Sequence, residues 1–539
     1  MTSASTSKDR LELEGFLEEL TPNDVIKGMY LRHGKSYGWW VMATITLANV
    51  ATLMASTIIN VAIPDIMGSF GIGQDKAQWL ATAFLASSTV TMLMNSWLMQ
   101  TLGARYTVLM AMFLFMGGSI LGGISPTLDL LTFARVMQGA ATGIITPMAM
   151  SLVFMLFPPG RQGVVLGVTA IGVVLAPALG PALGGYLIDL LNWRYTYLMG
   201  VPFSILVVPM AALYMPPRDP NAPKKPLDWV GLVLVSTAIA CLLIGLSNGQ
   251  REGWDSNFVL SYFGAAITAT AAFIYWETHV DQPLLDLRVF GFFKFAVISI
   301  LAFLFGASLY GSTYVVPLFL QIGQNLTATD SGLMMLPAAI VMGFLFPISG
   351  RLADKIDQRL ILGTGFVILA FSFLLMANAD TGTSWWTFAW WVIISRVGIG
   401  IMAPCLNLAA IQGLPMEYLQ QGAGVMNFVR QLGGAFGVNL LSVSLDYRVT
   451  FHRDALMATQ SWGHSDTFEL MADLQRELAV AGLSFWDQQY AAYSAIARIV
   501  VHQAYIKGFQ DSFLILCVAL LATMIPLAFL RRHHMRSPR

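Results

Sequence analysis

Long apolar runs that are nearly free of charged residues limit what this chain can fold into. Fourteen of them begin near residues 39, 79, 107, 129, 163, 195, 229, 258, 296, 331, 360, 385, 421 and 509. A helix of about 20 apolar residues crosses the hydrocarbon core of a bilayer and satisfies its own backbone hydrogen bonds there. The runs do not alternate as the strands of a membrane barrel do. They predict an all-α integral membrane protein with fourteen transmembrane helices.

The 30 basic and 30 acidic residues lie mainly between the runs and leave no net charge to attract nucleic acid. Short loops that are rich in Lys and Arg face the cytoplasm. With the N-terminus inside, the inner loops and the C-terminal tail hold Arg105, Arg161, Arg218, Lys224, Lys225, Arg288, Lys294, Arg351, Lys355, Arg359, Arg531, Arg532, Arg536 and Arg539. The short outer loops hold only Lys76, Arg194 and Arg251. This asymmetry predicts that both termini are cytoplasmic.

The runs and the polar stretches between them predict six regions. Residues 1–36 form a cytoplasmic segment with a short acidic amphipathic helix and without the apolar core of a signal peptide. The other regions are a six-helix bundle at 37–215, two extra helices with linkers at 216–294, a second six-helix bundle at 295–530, a long outer (periplasmic) loop at 446–508 within that bundle, and a basic cytoplasmic tail at 531–539. The outer loop either caps the outer opening or contacts a partner, or it is a solvated connector.

An internal repeat supports the two-bundle organisation. Arg135-Val136, followed by Gly139, recurs as Arg396-Val397 followed by Gly400, and each copy precedes a proline in its span. Internal repeats around a central site are a common transporter architecture.

Motifs of catalysis are not found in the sequence. It contains no GxSxG, HExxH or GxxxxGK[ST] motif. Cys241, Cys405 and Cys517 lie in separate apolar runs and favour packing over metal binding. We therefore predict no catalytic residue, cofactor or metal, and transport driven by an ion gradient or by the substrate's own gradient.

Ionisable and polar groups at membrane depth are functional candidates because burying them is costly. We expect Arg135 with Gln138 to anchor a switching hydrogen-bond network, and Arg396 to hold the equivalent place in the second half. Arg430 with Asn427 is a candidate to meet an acidic group of a substrate. The alternative for each arginine is a helix-packing contact with backbone carbonyls. Further candidates for the lining of a substrate cavity are Asn60, Tyr314, Gln321 and Asn407.

Small residues spaced four apart allow helices to approach closely, and a proline inside a helix frees a carbonyl. Gly180, Pro181, Gly184 and Gly185 share one span, which is therefore a candidate gating helix. The alternative is ordinary close packing.

Six segments resemble the major facilitator superfamily, and specifically its fourteen-span drug:proton antiporters of the EmrB/QacA type. They are STIINVAIP at 56–64, RVMQGAATG at 135–143, GVVLAPALGPALGG at 172–185, NWR at 192–194, GRLADK at 350–355 and NFVRQLGG at 427–434. Their order and spacing cover the chain from about Trp39 to Leu530. The resemblance implies two pseudo-twofold related six-helix bundles, with gating by Asp354 and Arg359 of the inner loop. The alternative for Asp354 is a solvated loop carboxylate.

The sequence departs from that family at two places. Ala55 stands where the family usually has an aspartate, and the inner-loop motif of the first half keeps only Gly103 and Arg105. Which acid carries protons is therefore open, and Asp65, Asp189 and, more weakly, His502 are candidates.

The function expected is export of hydrophobic or amphipathic small molecules, as in multidrug efflux, by alternating access and proton antiport. The end of the outer loop resembles EmrB-like members, which implies a tripartite efflux system in the inner membrane with an EmrA-like periplasmic adaptor and a TolC-like outer-membrane channel. Two alternatives stay open: a dedicated transporter of one anionic metabolite, such as a siderophore or fatty acid, and an uncoupled membrane sensor or scaffold.

Overall fold

The computed structural model describes residues 24–220, 226–281, 283–353, 356–412, 414–415, 418–459, 465–481 and 484–530. Regular structure throughout these residues is helical. The first half contains α1 (Asp24–His33), α2 (Tyr37–Phe70), α3 (Trp79–Thr101), α4 (Gly103–Ile124), α5 (Leu128–Leu156), α6 (Pro159–Leu190) and α7 (Gly200–Tyr214). Short helical turns, Gln74–Ala77 and Arg194–Leu198, precede α3 and α7.

Two helices, α8 (Trp229–Glu252) and α9 (Asn257–Glu277), follow, and the 3-10 helix Leu287–Gly291 leads into the second half. That half contains α10 (Phe293–Leu318), α11 (Ala328–Ala353), α12 (Gln358–Met376), α13 (Trp385–Ile411), α14 (Leu419–Thr459), α15 (Ser465–Val480), α16 (Phe485–Ala522) and α17 (Met524–Phe529). A π-helical turn, Phe319–Gly323, ends α10.

Eleven helical segments among the described residues are long and apolar enough to cross a membrane. Three further helices of similar or greater length, α3, α6 and α14, lie packed among them. These fourteen segments correspond to the fourteen runs of the sequence, and the expected all-α membrane fold is confirmed.

The two halves repeat one pattern of helix packing. In the first half α3 packs on α5, α4 on α5, α2 on α6 and α4 on α7. The corresponding pairs of the second half, α11 with α13, α12 with α13, α10 with α14 and α12 with α16, are also in contact. Arg135 on α5 and Arg396 on α13 occupy matching places, as the internal repeat predicts.

The most extensive contacts between the halves are those of α6 with α11 and of α3 with α14, and α2 also contacts α10. Helices α8 and α9 pack on each other, and α8 also contacts both α3 and α14. The two extra helices therefore lie beside the seam between the halves.

The region expected to be a long outer loop is largely helical. Helix α14 continues to Thr459, α15 packs on α16, and α16 begins at Phe485, well before the apolar run that starts near residue 509. The spacing of Phe468, Leu470, Met471, Leu474 and Leu478 is helical in the sequence, but the prediction ended the two flanking helices where their apolar residues end. Polarity ends a membrane span, but a helix can continue into water because its backbone hydrogen bonds stay internal. We call residues 446–459, 465–481 and 484–508 the extension.

The extension has its own small apolar core. Met471, Ala492, Ile496 and Val500 are buried there, with Leu456, Leu474 and Leu478 packed against them. Large aromatic side chains stay exposed at the start of α16, with Trp486 76% and Tyr490 80% exposed.

The amphipathic helix expected around residues 11–20 lies outside the described residues. Helix α1 directly precedes α2 and buries Ile26, Met29 and Tyr30. The Tyr30 hydroxyl donates a hydrogen bond of 2.6 Å to the carbonyl of Leu156 at the end of α5, and burial raises the pKa of Tyr30 above its usual range.

Candidate functional site between the two halves

Arg135 connects three helices of the first half. It is 1% exposed, and its Nε donates to the carbonyl of Leu80 at 2.8 Å. Its Nη1 donates to the carbonyl of Ala55 at 3.0 Å and to Gln138 Oε1 at 2.8 Å, and Gln138 Nε2 donates to Ser119 Oγ at 3.0 Å. Arg135 with Gln138 thus anchors a network that reaches α2, α3 and α4. Whether the network switches during transport stays a prediction.

The contacts of Arg135 explain how this chain can have Ala55 where the resembling family usually has an aspartate. The Arg135 guanidinium also lies 4.2 Å from the centre of the Phe84 ring, and its Nη2 is buried with no hydrogen-bond partner among the described residues. Backbone carbonyls and the face of an aromatic ring can stabilise a cation without a carboxylate. In this chain the carbonyls of Leu80 and Ala55 and the ring of Phe84 contact Arg135 in the absence of that aspartate.

Arg430 brings together three of the residues expected to line a cavity. Its Nη2 donates to Asn427 Oδ1 at 2.5 Å, and its Nη1 lies 3.5 Å from Asn407 Oδ1. Asn407 is exposed, while Arg430 and Asn427 are half-buried. A Cβ on Gly306 of α10 would overlap the Arg430 carbonyl, so the glycine allows α10 to approach α14 closely. The result is a polar cluster, Arg430–Asn427–Asn407, that links α13 and α14.

The other three expected cavity residues join the halves instead. Asn60 Nδ2 donates to the carbonyl of Thr313 at 3.1 Å, and Gln321 Nε2 donates to the carbonyl of Val61 at 2.9 Å. The hydroxyl of Tyr314, which is fully buried, accepts a hydrogen bond of 2.5 Å from Gln74 Nε2. In this conformation these side chains lie within contacts between α2, its following turn and α10. We call this end of the bundle the closed end.

Asp189 forms a further link at the closed end. Its Oδ2 accepts a hydrogen bond of 2.8 Å from the backbone N–H of Thr329, in the first turn of α11. An aspartate at a helix N-terminus is stabilised by free backbone N–H groups and by the helix dipole. Asp65 lies close enough for the charge of Asp189 to act on it, and both are exposed. The two coupling candidates therefore share one location.

The glycines of α6 allow the closest approach between the halves. A Cβ on Gly180 or Gly184 would overlap α2, at Thr57 and Ile58 respectively. A Cβ on Gly185 would overlap the carbonyl of Ala328, and one on Gly332 of α11 would overlap the carbonyl of Pro181. Helix α6 therefore packs through glycines both on α2 of its own half and on α11 of the other half.

Pro181 also has a consequence for hydrogen bonding. A proline lacks the N–H that would bond the carbonyl four residues earlier, which here belongs to Pro177. Thr57 Oγ1 on α2 donates to that carbonyl at 2.9 Å. The kink of α6 is therefore satisfied by a side chain of the helix against which it packs.

Three further residues were predicted to act in coupling or gating, namely Arg396, Asp354 and Arg359. Arg396 is 7% exposed on α13. Asp354 lies outside the described residues. Arg359 is half-buried in the first turn of α12, next to Asp357, whose Oδ1 accepts from the Arg359 N–H at 3.0 Å. The gating role of Asp354 and Arg359 stays a prediction.

Several glutamine and asparagine residues of the interface were not predicted. Gln431 Nε2 on α14 donates to Ser88 Oγ on α3 at 3.2 Å. Gln78 donates to Ser247 of α8 at 2.8 Å, and Asn439 of α14 donates to the carbonyl of Leu243, also on α8, at 3.4 Å. Helix α8 is therefore bonded to both halves. These residues could have been found in the sequence as uncharged amide side chains within or next to apolar runs. The prediction missed them because it looked mainly for charged residues.

The hydrogen bonds named above that join the halves lie away from the opposite end of the bundle, where two glycines have open space beside them. A Cβ placed on Gly350 of α11 or Gly424 of α14 would meet nothing within 4 Å. Both residues lie at the end where α2 begins, and we call it the open end.

Comparisons with known proteins agree with this architecture. Residues 45–438 match the family model described as Major Facilitator Superfamily. The chain is 28% identical to the multidrug export protein EmrB of Haemophilus influenzae, over 90% of this chain and 94% of that one. It is 28% identical to the fatty acid resistance protein FarB of Neisseria gonorrhoeae (92% and 96%). It is 30% identical to the multidrug transporter protein MdtP of Bacillus subtilis (75% and 74%).

Solved structures share the fold. A bacterial homologue of the human lysosomal transporter Spinster, in an inward-facing and unoccupied conformation, superposes with a TM-score of 0.62 at 15% identity. The alignment covers 92% of this chain and 97% of that chain.

Proposed function

Because the chain belongs to the Major Facilitator Superfamily, we propose that it exports hydrophobic or amphipathic small molecules from a bacterial cell by alternating access. The observation that carries the proposal is an interface between halves whose hydrogen bonds gather toward one end. Relatives named as multidrug exporters, aligned over about nine tenths of the chain, support the direction and the substrate class.

The closed end is suited to reversible opening. Among the described residues, five hydrogen bonds join the halves. Those from Asn60, Gln74, Gln321 and Thr329 lie at the closed end, and that from Gln431 joins α14 to α3. A hydrogen bond between membrane helices contributes about 0.6 kcal/mol on average. The five together therefore contribute a few kcal/mol, which is the range in which two conformations interconvert readily.

The orientation follows from the basic residues of the loops. The positive-inside pattern supports an orientation with the closed end outside and both termini in the cytoplasm of a bacterial inner membrane. The conformation described here is then inward-facing, with the Arg430–Asn427–Asn407 cluster available to substrates from the cytoplasm or the inner leaflet.

Proton coupling is assigned to Asp189 with Asp65. A proton entering from outside would neutralise Asp189 and weaken its bond to the Thr329 N–H at the start of α11, which favours opening of the closed end. Exposure of both carboxylates at that end supports this order of events. Protonation of Asp189 would thereby favour the outward-open state, and loss of the proton would favour closure of this end.

A specific observation favours a second candidate, the export of one anionic metabolite such as a fatty acid. The Arg430–Asn427–Asn407 cluster is cationic, and the carboxylates of the first half, Asp65, Asp75, Asp129 and Asp189, all stand at helix ends. The similarity to a protein named for fatty acid resistance is in line with this candidate.

The extension is assigned to a partner outside the membrane. Its buried core fixes α15 against α16 and presents Trp486 and Tyr490 to solvent. Aromatic residues exposed on a rigid element are typical of protein-binding surfaces. We assign this surface to an EmrA-like periplasmic adaptor, which would pass substrate to a TolC-like outer-membrane channel.

The experiment is substrate-induced proton release from acidified everted membrane vesicles, followed with a pH-sensitive dye. Proton antiport predicts that lipophilic acids collapse the gradient, and cations should do so less because the first half has no carboxylate at mid-membrane depth. Asp189→Asn should abolish the response, while substrate binding is retained. If no compound disturbs the gradient, proton antiport is wrong. A response confined to a single anion would favour the metabolite exporter.

A further inference from the structure

Two carboxylates meet where the two extra helices begin and end. Asp228 precedes the first turn of α8, and its Oδ1 accepts hydrogen bonds from the Gly231 N–H at 2.9 Å and from Trp276 Nε1 at 2.8 Å. Glu277 is the last residue of α9 and is 4% exposed. Its Oε2 accepts from the backbone N–H of Leu285 at 3.2 Å. One oxygen of each carboxylate is thus fixed by N–H donors.

The other oxygen of each carboxylate is buried without a hydrogen-bond partner in the described part of the chain. These atoms are Asp228 Oδ2 and Glu277 Oε1. Both converge on Gly231, where an added Cβ would lie 2.6 Å from Glu277 Oε1 and closer still to Asp228 Oδ2. The glycine leaves space for the two oxygens to face each other.

Two ionised carboxylates in this arrangement repel each other. The charged groups that act on Glu277 are Asp228 and Asp286, both acidic, so their charges add to the repulsion. A buried oxygen that lacks a donor is also costly. Something positive must therefore occupy the space between Asp228 and Glu277.

A proton fits the site better than a metal ion does. Hard cations such as Ca²⁺ and Mg²⁺ take six or more oxygen ligands. The described residues hold no group of three or more His, Cys, Asp or Glu side chains suited to a metal. A proton needs only two oxygens and turns two mutually repelling acceptors into a donor and an acceptor.

We propose that Asp228 and Glu277 bind one proton between them at neutral pH, as a carboxyl–carboxylate pair that closes the ends of the α8–α9 hairpin. The pair also holds the N–H of Leu285, two residues before the 3-10 helix that leads into α10. Loss of the proton forces the two side chains apart and frees this linker. The attachment of the extra helices to the second half is then sensitive to the pH on the side of the membrane where α8 begins and α9 ends.

The proton is detected directly by infrared spectroscopy of the reconstituted full-length protein during pH exchange. Wild type should show the carbonyl stretch of one protonated carboxyl at neutral pH, and this band should disappear at high pH. Both Glu277→Gln and Asp228→Asn should lack the band. Asp286→Asn is the matched control and should retain it. The Asp228→Asn variant should fold because asparagine is as good a helix N-cap as aspartate.

A lysine is the rival source of positive charge, since Lys224 and Lys225 lie outside the described residues. If a lysine neutralises the pair, wild type will lack the band at neutral pH, which overturns the proposal. The double variant Lys224→Ala/Lys225→Ala should keep the band if the proton is shared as proposed, and a loss would contradict it.

Thermal unfolding in detergent gives a second readout. The amide of Glu277→Gln can donate to Asp228 at every pH. This variant should therefore match wild type at neutral pH and lose the fall in melting temperature that wild type shows as the shared proton dissociates. An identical pH dependence in Glu277→Gln and wild type would refute the pair.

Discussion

At the scale of single residues, the buried arginines differ in what surrounds them. Arg135 is held by two backbone carbonyls, Gln138 and the ring of Phe84, in a network that is completed inside the first half. Arg430 contacts two asparagines and is half-buried, so part of its side chain stays accessible. The first arrangement suits a structural or switching role, and the second suits recognition of an anion.

The role of Arg430 is tested by two substitutions. A hydrogen bond to a charged group contributes about 1.5–3 kcal/mol, which corresponds to roughly a ten- to hundredfold change in affinity. Arg430→Ala should lower the transport of lipophilic acids to that extent, and Arg430→Lys should lower it less because the charge stays. Transport of neutral compounds should change little in either variant.

The measurement is initial efflux from everted vesicles at matched protein levels. Arg453→Ala, on the exposed part of the extension, is the control and should transport acids at the wild-type rate. Unchanged rates for anionic substrates in both Arg430 variants would rule out the recognition role.

At the scale of the helix, α6 shows how one element serves both halves. Its glycines admit α2 on one side and the start of α11 on the other, and Thr57 of α2 bonds the carbonyl that Pro181 leaves free. The sequence identified this helix through its glycine and proline spacing. It did not indicate which neighbour each glycine meets.

The close contact between α6 and α11 predicts the effect of one added methyl group. Gly185→Ala should prevent full closure, because the methyl would overlap the carbonyl of Ala328. The equilibrium should shift toward a state that is open at the closed end. A cysteine introduced at Asn60, in a background with serine at Cys241, Cys405 and Cys517, should then react several times faster with a membrane-impermeant maleimide.

The matched control is Gly264→Ala on α9, where a Cβ meets nothing within 4 Å. It should leave the labelling rate unchanged and retain transport. Equal labelling of Gly185→Ala and wild type would mean that the α6–α11 contact does not limit closure.

At the scale of the whole molecule, two repeated halves, a pair of extra helices and the extension form one chain with distinct surfaces. Helix α8 is bonded to Gln78 on one side and Asn439 on the other. The extra helices are therefore positioned to follow, or to restrain, the relative movement of the halves.

Substitutions on the extension should impair docking of the adaptor without impairing transport. Trp486→Ala with Tyr490→Ala should abolish co-purification with the EmrA-like adaptor, because both side chains are exposed at the start of α16. Proton-coupled transport in everted vesicles should persist, since neither residue takes part in the hydrogen bonds between the halves. Tyr106→Ala, 61% exposed on α4 at the opposite end, is the control. Adaptor binding that survives the double substitution would move the docking site elsewhere.

The sequence by itself determined the number of long helices, the all-α membrane fold, the two-half organisation and the candidate helix α6. These follow from local patterns, namely the length of apolar runs, repeated motifs and glycine spacing, and the bilayer makes such patterns decisive because it leaves backbone groups few alternatives. The resemblance to a family added the expected class of function.

Only the tertiary structure decided which polar residues meet. Asn60, Tyr314 and Gln321 were expected to line a cavity, yet they join the halves, while Asn407, Asn427 and Arg430 do form a cluster. An amide in an apolar run must find a partner, but the partner lies up to hundreds of residues away in sequence, as for Gln431 and Ser88. Likewise, Asp228 and Glu277 stand 49 positions apart in the chain and face each other only because α8 and α9 pack side by side.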